Sequence, residues 1–522
     1  MSKLSSIVKS QWLIVFVILI IASFLRLYNI VELPPGLYPD EAIYANNGVE
    51  AWETGNLKVF YPENNGREGL WPNIIGFFIV KFGHEPWVPR SVAAVFGILT
   101  VLGTYFLTRE LFKLRPPDRQ AEFIALLSSF LLAVSFWHIL FSRIGFRAIM
   151  APFFLVWGIY FLLASLNKLK STAPNNQNNQ SLVQLTGQGR AILFSLFGGI
   201  FYGFGFHTYI AYRATPLLIL TILFYYWFGN KNWQIRKKIL LVASGYILIA
   251  IIVAAPLGLY FLQNPQDFFG RTTQISVFNS PAPIKDLTVN ILKTAGMFNF
   301  SGDYNWRHNY AGKPELFWPV GILFIIGTIL GTKSILRKSD FPKLPFLILF
   351  AWLIIAALPV VVSNEGMPHA LRAIIMIPPI FILAGFGGVW LYEQFTKLRI
   401  FTNIRIKIFL LSTFYFLLSI LVFEAYNTYF IKWGQNYNVQ GAFSADYVQI
   451  GRELNSLPKE TPKYVIVEAG GVDVRGIPMP AQTVMFITDT FTPEKQKEKN
   501  LFYILPEQKN QILENGYVVI LN

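Results

Sequence analysis

The sequence predicts an all-α polytopic membrane protein that ends in a small α/β unit. Apolar stretches of roughly 17–25 residues recur along most of the chain, the length an α-helix needs to cross a bilayer. Only 14% of the 522 residues are charged and 53% are hydrophobic, where soluble domains carry about 25% charge. Beyond residue 424 the pattern changes to short strand-like and helix-like runs.

About eleven spans are expected, near 11–29, 89–110, 121–141, 148–166, 191–207, 214–229, 239–262, 316–332, 344–362, 371–392 and 407–424. Lys3 and Lys9 precede the apolar run Trp12–Ile21, but no small-x-small cleavage site follows. The run therefore reads as an uncleaved first helix. Phe, Tyr and Trp together make up 16% of the chain, as expected of lipid-facing surfaces and interfacial belts.

The net charge of +15 raises the question of nucleic acid, and the positions of the charges answer it. Lys3 and Lys9; Arg109, Lys113, Arg115 and Arg119; Lys168, Lys170 and Arg190; Lys231, Arg236, Lys237 and Lys238; Lys333, Arg337, Lys338 and Lys343; and Lys397, Arg399, Arg405 and Lys407 fall in alternate short loops. That is the positive-inside pattern, so the lipid bilayer is the partner and no nucleic acid is expected. The protein reads as multi-pass in the plasma (inner) membrane, with its N-terminus cytoplasmic. An odd number of spans then places three long pieces outside: a first loop at 30–88, a second at 263–315, and the C-terminal segment.

Two domains follow, a transmembrane part at 1–424 and an extracytoplasmic α/β part at 425–522. In the latter, Tyr464–Val467, Thr483–Ile487, Phe502–Ile504 and Tyr517–Leu521 read as strands, and Asp446–Leu457 and Pro506–Glu514 as helices. Leu70–Phe82 is apolar but too short to span comfortably, so it lies at the interface or dips in and returns. The polar stretch 171–189, with Asn175–Gln180 reading NNQNNQ, is a loop.

The chemistry centres on Pro34–Glu41, PPGLYPDE, where Pro and Gly break the chain after the first span. Asp40 and Glu41 point about 100° apart on a regular helix. One of them is placed to take a proton while the other orients a side chain or holds an arginine. The plainer reading makes Asp40 the N-cap of a helix, with Glu41 in its first turn. Arg67, Arg90, Arg143, Arg147, Arg213, Arg271, Arg307 and Arg372 lie on or near the same side. Such residues near a membrane need partners, and guanidinium forks suit phosphate oxygens. Singly, each has the plainer account of snorkelling or local pairing. The chain has no cysteine, which excludes disulfides and thiolate chemistry. Its five histidines show no HxxxH or HExxH spacing, so no metal site is signalled. Gly199-x-x-x-Gly203 reads as helix packing.

Taken together, these residues resemble the GT-C membrane glycosyltransferases. The likeness is to bacterial relatives of the dolichyl-phosphate-mannose protein mannosyltransferases and of the aminoarabinose transferases that act on lipid A. It rests on Gly36–Gly55 (GLYPDEAIYANNGVEAWETG), Arg67–Pro72 (REGLWP), Ser142–Pro152 (SRIGFRAIMAP), His207–Pro216 (HTYIAYRATP), Asn264–Arg271 (NPQDFFGR), Gly302–Asn309 (GDYNWRHN) and His369–Pro378 (HALRAIIMIP). The resemblance implies an inverting glycosyltransferase that takes a sugar from a polyprenyl-phosphate donor and passes it to a protein, glycolipid or cell-surface polymer outside. It implies Asp40, followed by Glu41, as general base for the acceptor hydroxyl or as the group that orients it, and Arg143, Arg147, Arg213 and Arg372 as binders of the donor phosphate. From the matching segments it adds Arg67, Glu68, His207, Tyr209, Arg271, Arg307, His308 and His369 as substrate-binding candidates. No cofactor is expected, and a divalent metal stays open. Many relatives carry an Asp where this chain has Arg147, which sets it apart within the group. The alternatives are a lipid or sugar transporter or flippase, which would place polar residues deep in its spans, and a membrane scaffold presenting the C-terminal segment.

Overall fold

The computed structural model describes residues 2–113, 119–171, 180–274, 276–337, 341–397 and 404–522. Helix α1 (Ser2–Leu27) is followed by the Pro34–Gly36 break and by α2 (Pro39–Thr54). A short hairpin, β1 (Phe60–Tyr61) and β2 (Arg67–Glu68), leads to α3 (Leu70–Phe82). Then come α4 (Trp87–Phe112), α5 (Arg119–Ala133), α6 (Phe136–Phe141), α7 (Met150–Ser171), α8 (Gln180–Gly205), α9 (Pro216–Phe228) and α10 (Trp233–Gln263). The second long loop holds α11 (Pro265–Gln274) and α12 (Pro283–Gly296), ahead of α13 (Trp318–Leu336), α14 (Lys343–Val361), α15 (Ile377–Lys397) and α16 (Ile404–Tyr426).

Seven helical stretches among the described residues are long and apolar enough to cross a membrane: Trp87–Phe112, Arg147–Leu169, Ile210–Phe228, Trp233–Gln263, Trp318–Leu336, Lys343–Val361 and Arg372–Thr396. The structure thus supports a multi-pass membrane protein with fewer qualifying spans than the eleven expected. One reason is visible between residues 121 and 141, where a single span was expected. Here α5 stops at Ala133, and Ser135 caps α6 by accepting the His138 N–H at 3.3 Å. The buried Arg26 of α1 fills the break. Its Nη1 donates to Ala133 O at 2.9 Å, and its Nη2 lies 2.7 Å from His138 Nδ1. A freed carbonyl in an apolar layer is costly unless it is paired. Of the NNQNNQ run, 175–179 lies outside the described residues.

The helices pack by their small residues. Side chains added at Gly199 and Gly203 of α8 would run into the backbone of α10 at Tyr246 and Ala250, so this motif is the close-packing face expected of it.

Past α16 the chain continues as a π-helix over Asn427–Trp433 and then as α17 (Tyr437–Ala442) and α18 (Ala445–Ser456). The remainder comprises β3 (Lys463–Val467), the small pair β4 (Asp473–Val474) and β5 (Ile477–Pro478), α19 (Ala481–Thr488), α20 (Pro493–Glu498), β6 (Leu501–Ile504) and β7 (Tyr517–Leu521). Its sheet is wholly parallel, in the order β6-β3-β7. Thr483–Ile487, expected as a strand, is the buried helix α19. A continuous apolar run does not distinguish a buried strand from a buried helix. The helix expected at Pro506–Glu514 is a 3-10 turn over Pro506–Gln511.

This C-terminal unit packs on the first loop. Ile43 of α2 joins the apolar cluster built around Tyr447, Val465 and Val484. Thr483 Oγ1 donates to Leu37 O at 2.8 Å, and Asn46 Nδ2 donates to Gln482 O at 3.1 Å. Arg475 grips Glu50 through two bonds of 2.8 and 2.7 Å. Gly36, with φ +70, lies so close to Phe443 and Ala445 that a side chain would collide with them.

Glu41 fixes the first loop from the other side. It is fully buried, and its Oε2 accepts the Gly145 N–H at 2.7 Å and faces Arg90 Nε at 3.4 Å. Trp71 Nε1 donates to Gly145 O at 2.9 Å, so one glycine peptide is held on both sides. Arg90 in turn donates to Pro34 O at 2.6 Å and Gly36 O at 2.7 Å. Breaking a buried pair by removing one partner costs about 3–5 kcal/mol, whereas a half-exposed pair such as Arg475–Glu50 contributes about 0–1 kcal/mol. Glu41→Ala is therefore expected to lower the melting temperature of the detergent-purified protein far more than Glu50→Ala. Equal shifts would show that Glu41 does not carry the loop.

Candidate active site

Asp40 sits in the first turn of α2, which begins at Pro39 with Tyr38 at its N-cap. Asp40 is thus not the cap. Glu41 occupies the inward side of the turn, its Oε1 accepting the Tyr38 N–H at 3.4 Å. Asp40 is only half-buried and points elsewhere, as the angle between successive helical residues requires. Its Oδ1 accepts Asn64 Nδ2 at 2.6 Å. Asn64 belongs to the tight β1–β2 turn, where Asn64, Asn65 and Gly66 all have positive φ, a conformation Asn and Gly tolerate. The hairpin thereby brings Arg67 and Glu68 to the same face.

Arginines gather around this face. Arg67 is buried, with its guanidinium 5.3 Å from the centre of the Tyr44 ring, and its Nε and Nη2 make no hydrogen bond within the protein. Burial draws Arg67 down to about 10, so it still carries its charge at neutral pH. Arg147 lies 5.9 Å from the same ring, and its Nη1 is 3.2 Å from Glu68 Oε2. Arg213 Nη2 is 3.4 Å from Glu68 Oε1, its Nη1 donates to Phe268 O at 3.1 Å, and it stacks against Phe261 and Phe268. Asp40 is within electrostatic reach of Arg67 and Arg147, and Tyr209 of Arg147. Arg307 lies 3.8 Å from the centre of the Tyr38 ring. Burial pushes the Tyr38 phenol up, with the Asp40 charge adding to the shift, so it stays neutral.

The fold brings together Asp40, Arg67, Glu68, Arg147, Tyr209, Arg213 and Arg307. It sends other expected residues elsewhere. Arg143 is fully buried, donates to Leu33 O at 2.9 Å and stacks on Tyr429 and Phe430, each 5.0 Å away. Its head is thus engaged by backbone and by aromatic rings of the π-helix, with Nε left without a hydrogen-bond partner. Arg372 is held by Ser363 Oγ, by Glu365 O at 2.7 Å and by Glu365 Oε2 at 2.8 Å. His207 Nε2 pairs with Val253 O at 2.9 Å. Glu41 is engaged by Gly145 and Arg90, as described above. The Arg271 side chain lies outside the described residues. His308 and His369 stack on one another beside Asp303 and form, among the described residues, the one group with metal-binding spacing.

The sequence reading missed Asn64, Tyr38, Tyr44 and Asp303. The Asn-Asn-Gly turn was a readable hairpin signal; the aromatic residues and Asp303 gave none.

What the arrangement offers chemically is a carboxylate within electrostatic reach of buried guanidinium groups. Such donors stabilise an anion strongly where water is excluded.

No family model and no curated protein matches the chain. Solved structures do. ArnT from Cupriavidus metallidurans, bound to undecaprenyl phosphate, superposes with a TM-score of 0.52 at 14% identity, over 99% of this chain and 93% of that one. The Archaeoglobus fulgidus oligosaccharyltransferase, tethered to an acceptor peptide with an NVT sequon, gives 0.51 at 13% identity over 93% of this chain. The chain spans 64% of the archaeal enzyme's length. The likeness is one of fold: the protein has the architecture of the GT-C glycosyltransferases.

Proposed function

We propose that the protein is an inverting glycosyltransferase that moves a sugar from a polyprenyl-phosphate donor to an acceptor hydroxyl at the outer face of the plasma membrane. The observation that carries this reading is Asp40 set against the buried, incompletely paired guanidinium of Arg67, with Arg147 and Arg213 behind it. The acceptor O–H attacks the anomeric carbon, Asp40 takes its proton, and the bond from that carbon to the phosphate oxygen breaks. Arg67 and Arg147 stabilise the charge gathering on the leaving phosphate, with Arg213 and Tyr209 beside them. Glu68 holds Arg147 and Arg213 in place, and Arg307 with Tyr38 forms the opposite wall. The polyprenyl phosphate bound by the Cupriavidus neighbour and the acceptor peptide held by the archaeal one are in keeping with this division into donor and acceptor sides.

In this reading residues 1–424 form the catalytic membrane part, crossing about eleven times, and residues 425–522 form an extracytoplasmic domain that holds the first loop. The acceptor is a protein, a glycolipid or a cell-surface polymer.

A deletion strain should lack a sugar on one class of glycan or glycolipid by mass spectrometry, and wild-type protein should restore it. Asp40→Asn, present at the same level in membranes, should slow transfer by about 10²–10⁴-fold; full restoration by that variant would defeat the assignment. Arg67→Ala should weaken use of the donor by about tenfold or more, since a hydrogen bond to a charged group contributes about 1.5–3 kcal/mol. Arg67→Lys should recover only part of this, because a point charge does not replace a fork. Finally, the chain lacks cysteine, so single cysteines report orientation directly. In intact cells a membrane-impermeant maleimide should label Ser456→Cys in the C-terminal unit and spare Lys231→Cys between α9 and α10. The reverse pattern would invert the topology.

A further inference from the structure

Asp303 and His308 come from the loop before α13, and His369 from the turn before the 3-10 helix Arg372–Met376. These distant segments meet in one place. One donor atom from each of the three side chains lies within 4.8 Å of the others, and Asp303 and His308 are buried. Asp303 Oδ2 is 3.2 Å from His308 Nδ1 and 3.8 Å from His369 Nδ1. The two imidazoles stack with centroids 4.8 Å apart and planes 28° from parallel.

The surroundings hold the three residues as ligands are held. The Asn305 N–H donates to Asp303 Oδ1 at 2.8 Å, the Ala370 N–H to Asp303 Oδ2 at 2.9 Å, and Glu315 Oε1 accepts the Asp303 N–H at 3.0 Å. Backbone and side-chain partners of this kind orient metal ligands. At His369, Nδ1 accepts the Arg372 N–H at a long 3.4 Å. That nitrogen therefore presents a lone pair rather than a proton. It lies 3.8 Å from Asp303 Oδ2, so a small inward movement lets both atoms reach one ion.

We propose that Asp303, His308 and His369 bind a divalent first-row transition ion, of which zinc best suits two imidazoles and one carboxylate. Ligand atoms about 2.0–2.2 Å from a tetrahedral zinc lie closer together than 4.8 Å, so binding draws the loops inward slightly and displaces the proton on His308 Nδ1. The consequence is mechanical. Arg307 precedes His308 and covers Tyr38, and Arg372 begins the helix that follows His369. The ion ties the segment that covers Tyr38 to the helix that begins at Arg372. The site stands independently of the sugar-transfer reading.

The test uses tag-free, full-length protein in detergent, stripped with EDTA, incubated with Zn²⁺ and freed of excess by gel filtration. Elemental mass spectrometry should find about one zinc per chain, the stoichiometry of a mononuclear site. His308→Ala and His369→Gln should retain almost none while eluting as the wild type does. Co²⁺ should give visible bands of low-symmetry coordination that Zn²⁺ bleaches. EDTA should lower the melting temperature of the wild type, zinc should restore it, and neither should affect the His308→Ala/His369→Gln double variant. Wild-type protein that retains less than about a tenth of an equivalent, or a double variant that keeps the full zinc content, would overturn the proposal.

Discussion

The peptide of Gly145 is the point on which the first loop depends. Glu41 takes its N–H at 2.7 Å and Trp71 gives to its carbonyl at 2.9 Å. A side chain at Gly145 would press against Glu41 and Pro89, which would have to give by a few tenths of an ångström. Because Glu41 is committed inward, its neighbour Asp40 is turned outward. Two adjacent acids thus take opposite duties without any special backbone geometry: one stabilises the loop and the other is left for chemistry. Arg90 extends the arrangement to the carbonyls of Pro34 and Gly36, which leave the helix break with few backbone partners of their own.

The same economy recurs across the membrane part. Arg26, Arg90 and Arg143 are all fully buried, and each donates to backbone carbonyls at a point where a helix ends or breaks. In a medium without water, such carbonyls need a donor from elsewhere in the protein. Arg67, by contrast, is equally buried yet keeps Nε and Nη2 unpaired within the chain. Arg143 shares part of this character, with one unpaired nitrogen against two on Arg67.

Much of this was legible in the sequence. Hydropathy marked the helical segments, because apolar length is dictated by bilayer thickness. The helix break before Asp40 and the packing role of Gly199 and Gly203 followed from local backbone chemistry. What the sequence concealed was pairing across distance. Nothing local distinguishes Arg143, stacked on Tyr429 and Phe430, from Arg147, paired with Glu68. Nor does anything local mark Ser363 and Glu365 as the partners of Arg372. The meeting of Asp303 with His308 and His369 escaped notice because metal-ligand spacing is readable only when ligands share a local element, and these come from two loops. Thr483–Ile487 was misread because a buried run carries no periodicity.

The central claim is that Asp40 and the Arg67 cluster form the two sides of one transfer site. The most direct test is an experimental structure of the full-length protein with polyprenyl phosphate bound. The account predicts the phosphate within hydrogen-bond distance of Arg67 and Arg147, on the face that Asp40 borders. A phosphate seated instead at Arg372 or Arg143, with Arg67 untouched, would contradict it.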